Sequence, residues 1–235
     1  MIEVELRGKL SDDEYEMLTE KLSTNGKFIK SFSRFNLLYR SKIDKNKIQK
    51  EDFATNGRFL DLKCRVTKDD GELVVKIGEP SSADREEIEV KIRKDEFLNA
   101  VEFLRALGYY NCLATVRTSE RYMYKGIEFT IAKAVPANDF KAKVADNIYY
   151  EAEIPAEQNE VEDAKTKIVP VLRELGLTVL VEHEEDIMRF GGDATMKSGL
   201  SYYELIAALN SKIDMVLDTR TDEARESIEK VINLL

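Results

Sequence analysis

The feature that most constrains this chain is period-two alternation, in which the polar strand face carries formal charges rather than neutral polar groups. Ile2, Val4 and Leu6 alternate with Glu3, Glu5 and Arg7, and Leu62, Cys64 and Val66 with Lys63 and Arg65. Leu73, Val75 and Ile77 alternate with Val74 and Lys76, and Ile88, Val90 and Ile92 with Arg85, Glu87, Glu89 and Lys91. Ile127, Phe129 and Ile131 alternate with Glu128 and Thr130, and Tyr150, Ala152 and Ile154 with Glu151 and Glu153. Between Thr115 and Tyr124 the pattern loosens, but Arg117, Ser119 and Arg121 keep one parity. Alternation of this kind marks strands with one buried face. Asp69-Asp70-Gly71 and Lys125-Gly126 read as hairpin turns.

Helices are expected between the strands. Ser11 with Glu14 forms a capping box ahead of Tyr15, Leu18 and Leu22, with a stop near Gly26. Asp95 to Leu107 carries Phe97, Val101 and Leu104 at helical spacing and ends at Gly108. Val161, Ala164, Ile168, Leu172 and Leu175 mark a third helix, with a kink expected at Pro170 and an end near Gly176. A second capping box, Ser201 with Glu204, opens a helix from Tyr202 to Leu217, and a last helix runs from about Asp222. Many antiparallel strands with a few helices predict an α+β fold built on one large sheet or barrel, with helices packed outside. We read residues 1–235 as one domain, with most of the barrel in 1–155 and a mainly helical part in 156–235.

Composition excludes several function classes. The 36 Lys+Arg against 45 Asp+Glu leave a net charge of -9, the wrong sign for a surface that coats duplex nucleic acid. With a single histidine, His183, histidine-based triads and zinc sites are nearly excluded, so chemistry falls to carboxylates, Lys and Arg, with or without a metal. The two cysteines, Cys64 and Cys112, form no disulfide framework and point to a reducing, cytoplasmic compartment. No apolar run has the length to cross a bilayer, and the acidic start is unlike a signal peptide.

A polar strand face is ordinarily the solvent face of an antiparallel sheet. Two features point inward instead. Glu-x-Glu occurs at strand spacing three times, as Glu3/Glu5, Glu87/Glu89 and Glu151/Glu153, and such pairs repel without a cation between or opposite them. The other strands supply that charge at the same parity, in Lys63/Arg65, Lys76, Arg85 and Arg117/Arg121. In a closed sheet these faces line a cavity of both signs. Such a lining suits a multiply charged anion carried with a divalent cation, because carboxylates hold Mg²⁺ or Mn²⁺ while Lys and Arg match phosphate oxygens.

Glu3-Val4-Glu5-Leu6-Arg7 resembles the N-terminal Glu-x-Glu-x-Lys signature of the CYTH proteins, or triphosphate tunnel metalloenzymes. The resemblance continues in order through Leu62-Lys63-Cys64-Arg65, Val75-Lys76-Ile77-Gly78, Arg85-x-Glu87-x-Glu89 and Leu107-Gly108-Tyr109. It reaches Tyr150-Glu151-Ala152-Glu153-Ile154, Leu175-Gly176 and Ser201-Tyr202-Tyr203-Glu204-Leu205, and so covers nearly the whole chain. It implies a closed antiparallel tunnel of about eight strands. It further implies that Glu3, Glu5, Glu151 and Glu153 hold a metal, Mg²⁺ or Mn²⁺. On the same resemblance, Arg7, Lys63, Arg65, Lys76, Arg85, Arg117 and Arg121 bind a triphosphate-containing small molecule. Glu87 and Glu89 take a second metal or orient the attacking water, with Arg121 beside them in the catalytic set. The chain departs from the family pattern at Arg7, where a Lys is usual, and at Ser119-Glu120-Arg121, which fits Lys-x-Arg only if Arg117 takes the first role. An Asp common in the next strand falls near Ala132 or Lys133.

Other signals read as structural. His183 sits in an acidic run, Cys64 has the apolar parity of its strand, and Gly191-Gly192 through Lys197-Ser198 lacks the Gly before Lys of a phosphate loop. The tyrosine pairs 109/110, 149/150 and 202/203 are assigned to packing between barrel and helices rather than to stacking on a base. The function expected first is metal-dependent hydrolysis of a nucleoside, thiamine, inorganic or RNA 5′ triphosphate. A class IV type adenylyl cyclase and a non-catalytic nucleotide- or polyphosphate-binding module are the alternatives. No membrane partner and no broad nucleic-acid binding are expected.

Overall fold

The computed structural model describes residues 2–39, 54–55, 58–77, 84–135, 148–177 and 215–235. The alternating segments become strands: β1 (Ile2–Leu10), β2 (Lys27–Tyr39), β3 (Ala54–Thr55), β4 (Arg58–Thr67), β5 (Asp70–Ile77) and β6 (Asp84–Arg93). After a helix follow β7 (Asn111–Tyr124), β8 (Ile127–Val135) and β9 (Ile148–Ala156), and later β10 (Met215–Asp218). The helices are α1 (Asp12–Asn25), α2 (Phe97–Ala106), α3 (Val161–Glu174) and α4 (Asp222–Leu234).

Eight strands close on themselves in the order β7-β2-β4-β5-β6-β1-β9-β8, and β8 pairs back to β7. Every pairing is antiparallel. The long β7 serves two neighbours on one edge, β10 along Asn111–Ala114 and β8 along Val116–Tyr124. The seams are unequal. β1 meets β9 over nine residue pairs but meets β6 only at Ile2↔Glu86, Glu3↔Arg85 and Val4↔Asp84.

Local chemistry sets the element ends. At α1 the Ser11 hydroxyl accepts from Glu14 N–H (3.2 Å), and Ser11 N–H donates back to the Glu14 carboxylate (2.8 Å), the predicted capping box. Lys125 and Gly126 both have positive φ (51° and 79°), so the β7–β8 connection is the two-residue hairpin turn read from the sequence. The β4–β5 turn falls one step earlier than predicted, at Lys68-Asp69, because the Thr67 hydroxyl binds both Asp70 and the Asp69 and Asp70 amides. Pro170 lies inside α3, which runs on to Glu174.

Two apolar clusters pack helices against the outer wall. Leu18 and Leu22 of α1 and Val161, Ala164, Ile168 and Leu172 of α3 cover Val4, Leu6, Phe129, Ile131 and Tyr150. On the other flank Phe97, Val101 and Leu104 of α2 and Ala224, Ile228 and Val231 of α4 cover Phe35, Leu37, Cys64, Val66 and Val116. Cys64 is fully buried there, as its parity predicted.

Two further sequence expectations change. The helix read from Tyr202 to Leu217 lies outside the described residues except at its end, where Met215–Leu217 belongs to β10 and pairs with β7. Tyr149 does not pack between barrel and helix but turns into the barrel interior. His183, the Gly191–Ser198 segment, Tyr202/Tyr203 and the Ser201/Glu204 pair lie outside the described residues. Among the described residues no helix is long and apolar enough to cross a membrane.

Candidate functional site

A barrel of eight strands leaves just enough interior for side chains and one small ligand. Here the interior is a cavity of about 410 Å³ lined by ten Lys or Arg and ten Asp or Glu side chains. All the sequence-predicted residues line it: Glu3, Glu5, Arg7, Lys63, Arg65, Lys76, Arg85, Glu87, Glu89, Arg117, Arg121, Glu151 and Glu153. The wall is turned inside out relative to an ordinary sheet. Glu5, Glu72, Lys76 and Arg85 are 7–8% exposed, whereas Ile88 and Val90 on the outer face of β6 are 46% and 54% exposed. A charge buried more deeply than the neighbouring aliphatics persists only if it is paired or bound.

The pairing falls into clusters fixed by strand register. Glu3 and Glu5 are one pleat apart on β1, and Glu153 lies directly across from Glu5 on β9. Carboxylate oxygens of Glu3, Glu5 and Glu153 lie within 4.8 Å of one another. Glu151, the fourth predicted ligand, lines the same cavity one pleat further along β9, opposite Arg7, and is not part of that three-carboxylate group. Lys76 of β5 reaches into the acidic group, with Nζ 3.2 Å from Glu5 and 2.9 Å from Glu87 and a further ion pair to Glu3. Arg7 pairs with Glu5 at 2.7 Å.

Ionisation follows these contacts. Burial alone would raise the Glu5 carboxyl, but Arg7, Lys76, Arg85 and Lys63 outweigh it and hold it at about 2. Glu153 goes the other way: burial and the charges of Glu151, Glu5 and Glu3 push it well above the ordinary carboxylate range. Glu3 is likewise raised, by burial and by the neighbouring Glu87. Three convergent carboxyls, two of them resisting ionisation, form an oxygen donor set that a small hard cation satisfies.

A second cluster centres on Glu72 of β5, which sequence reasoning missed. Its carboxylate lies 2.8 Å from Lys91 Nζ, 3.2 Å from an Arg65 guanidinium nitrogen and 3.9 Å from one of Arg34. A third joins Asp61 to Lys63 (2.8 Å) and Arg85 (3.5 Å). Burial, with Arg65 and Lys76 adding to it, brings Lys63 down to about 8 against the opposing charge of Asp61. Arg121 pairs with Glu128 at 3.0 Å, and an Arg117 N–H donates to the Tyr149 hydroxyl. Glu89 is exposed and pairs with Lys91.

The strand β2 was not anticipated. It contributes Lys30, Phe32, Arg34, Asn36 and Leu38 to the lining, while Phe35, Leu37 and Tyr39 face the core. The alternation from Arg34 to Tyr39 was the available signal. The Phe32 ring has Lys30, Arg34 and Arg121 within 5.0–5.5 Å of its centroid.

The depressed carboxyls give a pH prediction. Burial opposes it, but the Lys91 hydrogen bond and the Arg65 and Arg34 charges hold Glu72 at about 2, as Glu5 is held, against 4.5 ordinarily. Groups lowered on folding contribute stability above the unfolded value and lose it as pH falls through the folded value. Unfolding midpoints in urea are therefore expected to drop as pH falls from about 4.5 to about 2. A flat profile across that window would contradict these pairings.

No protein-family model and no curated relative matches the chain. Solved structures do. A Pyrococcus horikoshii protein is 25% identical with a TM-score of 0.56, over 75% of this chain and 92% of that one. A Hippeastrum protein, assigned as an adenylyl cyclase and found to have a dominant triphosphatase activity, is 16% identical with a TM-score of 0.51, over 84% and 95%. A chain of the Schizosaccharomyces pombe Mediator head module is 15% identical with a TM-score of 0.54, over 75% and 95%. The class these likenesses define is a closed antiparallel β-tunnel with helices outside. It is consistent with the CYTH tunnel fold that the order of motifs resembles.

Proposed function

We propose that this chain is a divalent-metal-dependent hydrolase of a triphosphate, working inside the charged tunnel. The observation that carries the reading is the inverted wall, with Glu5, Lys76 and Arg85 buried inside while aliphatic residues face out. The Hippeastrum likeness is in keeping with it. Glu3, Glu5 and Glu153 would hold Mg²⁺ or Mn²⁺, with Glu151 beside them. When bound, that ion would polarise phosphate oxygens and offset the charge that develops on them.

The chain's own residues do the rest. Arg7, Lys63, Arg65, Lys76, Arg85, Arg117 and Arg121 orient a polyanion and neutralise charge at the transition state. Lys76 bridges the acidic group and the phosphate, because its ammonium already sits among Glu3, Glu5 and Glu87. Glu87, which pairs with Lys76, would orient the attacking water. The water oxygen bonds to the terminal phosphorus in line as the bridging P–O bond breaks, leaving a diphosphate and inorganic phosphate, with the water's protons passing to the released phosphate and to solvent.

The test is a panel of ATP, thiamine triphosphate, inorganic tripolyphosphate and 5′-triphosphorylated RNA, each with Mg²⁺, Mn²⁺ or EDTA, with every product identified. Release of inorganic phosphate that EDTA abolishes is the expected result. Cyclic AMP plus pyrophosphate from ATP would make the chain a cyclase. Tight binding without turnover of any substrate would make it a binding module.

A further inference from the structure

We propose that Glu72 is a built-in anion that limits how many phosphoryl groups the tunnel accommodates; this rests on the triphosphate reading above. Its carboxylate is held by cations from three different strands, Arg34 of β2, Arg65 of β4 and Lys91 of β6. Register fixes two of these contacts, because Glu72 stands directly across from Arg65 on one side and Lys91 on the other. All four side chains line the same cavity. Guanidinium and ammonium groups that converge on a carboxylate are the donors that would converge on a phosphate. The pocket is therefore a phosphoryl site that already contains an anion.

A further phosphoryl group has two ways in, and both are costly. If the carboxylate stays, two anions share one pocket. If the cations swing toward the phosphate, Glu72 is left buried and unpaired. Glu72 is 8% exposed, so water offers it little relief. The Lys91 hydrogen bond and the two arginines also keep it ionised at any ordinary pH, so protonation does not clear the pocket. Glu72 stands four residues along β5 from Lys76, which pairs with Glu3 and Glu5, so the stop lies away from the acidic group.

The experiment compares the full chain with Glu72→Gln. Dissociation constants for inorganic tripolyphosphate and tetrapolyphosphate are measured by calorimetry in EDTA, so that turnover plays no part. The wild-type chain is expected to prefer the shorter anion. In Glu72→Gln the longer one should bind about tenfold tighter, with a smaller gain for the shorter. An unchanged ratio of the two constants, or a loss of affinity for both, overturns the proposal. Should the Gln variant fail to fold, Glu72→Asp keeps the charge but withdraws it by one methylene. That variant should move the ratio the same way by less, and an unmoved ratio again overturns the proposal. If the wild-type chain binds neither anion in EDTA, this inference falls; if it also releases no phosphate from tripolyphosphate with Mg²⁺ or Mn²⁺, the triphosphate reading falls with it. If it binds tripolyphosphate and only the ratio fails to move, the inference falls alone.

Discussion

Glu5→Gln is expected to cut metal-dependent turnover on the order of 10²–10³-fold, the range seen when one preorganised group is removed from a site of developing charge. Glu5 is the natural target. It is the most buried of the three convergent carboxylates and is held ionised at about 2 by Arg7, Lys76, Arg85 and Lys63 against the pull of burial. Gln keeps its volume and hydrogen-bonding reach but removes the charge that a divalent cation needs. Lys76 retains Glu3 and Glu87, so the wall stays assembled and far-UV circular dichroism should be unchanged. The measurement is kcat across a Mg²⁺ and a Mn²⁺ titration. Full activity in the variant at the same metal concentration would remove Glu5 from the metal site.

Lys76→Met is expected to give the largest stability loss, about 3–5 kcal/mol at neutral pH, as when one partner leaves a buried ionic group. The Lys76 ammonium has three carboxylate partners and its side chain is 9% exposed. Burial works against its charge, yet Glu5, Glu3 and Glu87 together raise it well above an ordinary lysine. Met fills the space but leaves Glu3, Glu5 and Glu87 facing one another. The deficit should shrink as pH falls below about 4.5, because protonation of those carboxyls removes the repulsion. Added Mg²⁺ should recover part of it by occupying the same acidic group. Urea unfolding of both proteins at two pH values decides the matter, and equal stability at neutral pH would mean that the three carboxylates do not depend on Lys76.

The parity of charges was legible because a strand side chain has only two directions to point, and in β1, β4, β6 and β9 one direction was mainly ionic. Closure into eight strands was reachable only through the order of the motifs, since alternation looks the same in an open sheet. β2 escaped notice because its first half breaks the pattern: the pairing with β7 shifts register between Phe28 and Lys30. With β2 went Arg34, one of the three cations that hold Glu72 in the wall. The ion pairs themselves are a property of register and barrel stagger. Nothing local to Asp61 or Glu128 says that one meets Arg85 and the other Arg121. Tyr149 was misread because adjacent tyrosines on a strand face opposite ways, and only its partner Tyr150 enters the apolar core.

The short join between β1 and β6 has its own consequence. Only three backbone positions are matched there, yet Lys76 on the neighbouring strand grips Glu3 on one lip and Glu87 on the other. The hoop is thus fastened by a side-chain clasp where its backbone lacing is thinnest. What closes this part of the wall is also what a substrate would have to engage, so holding the shape and handling the ligand draw on the same few charges.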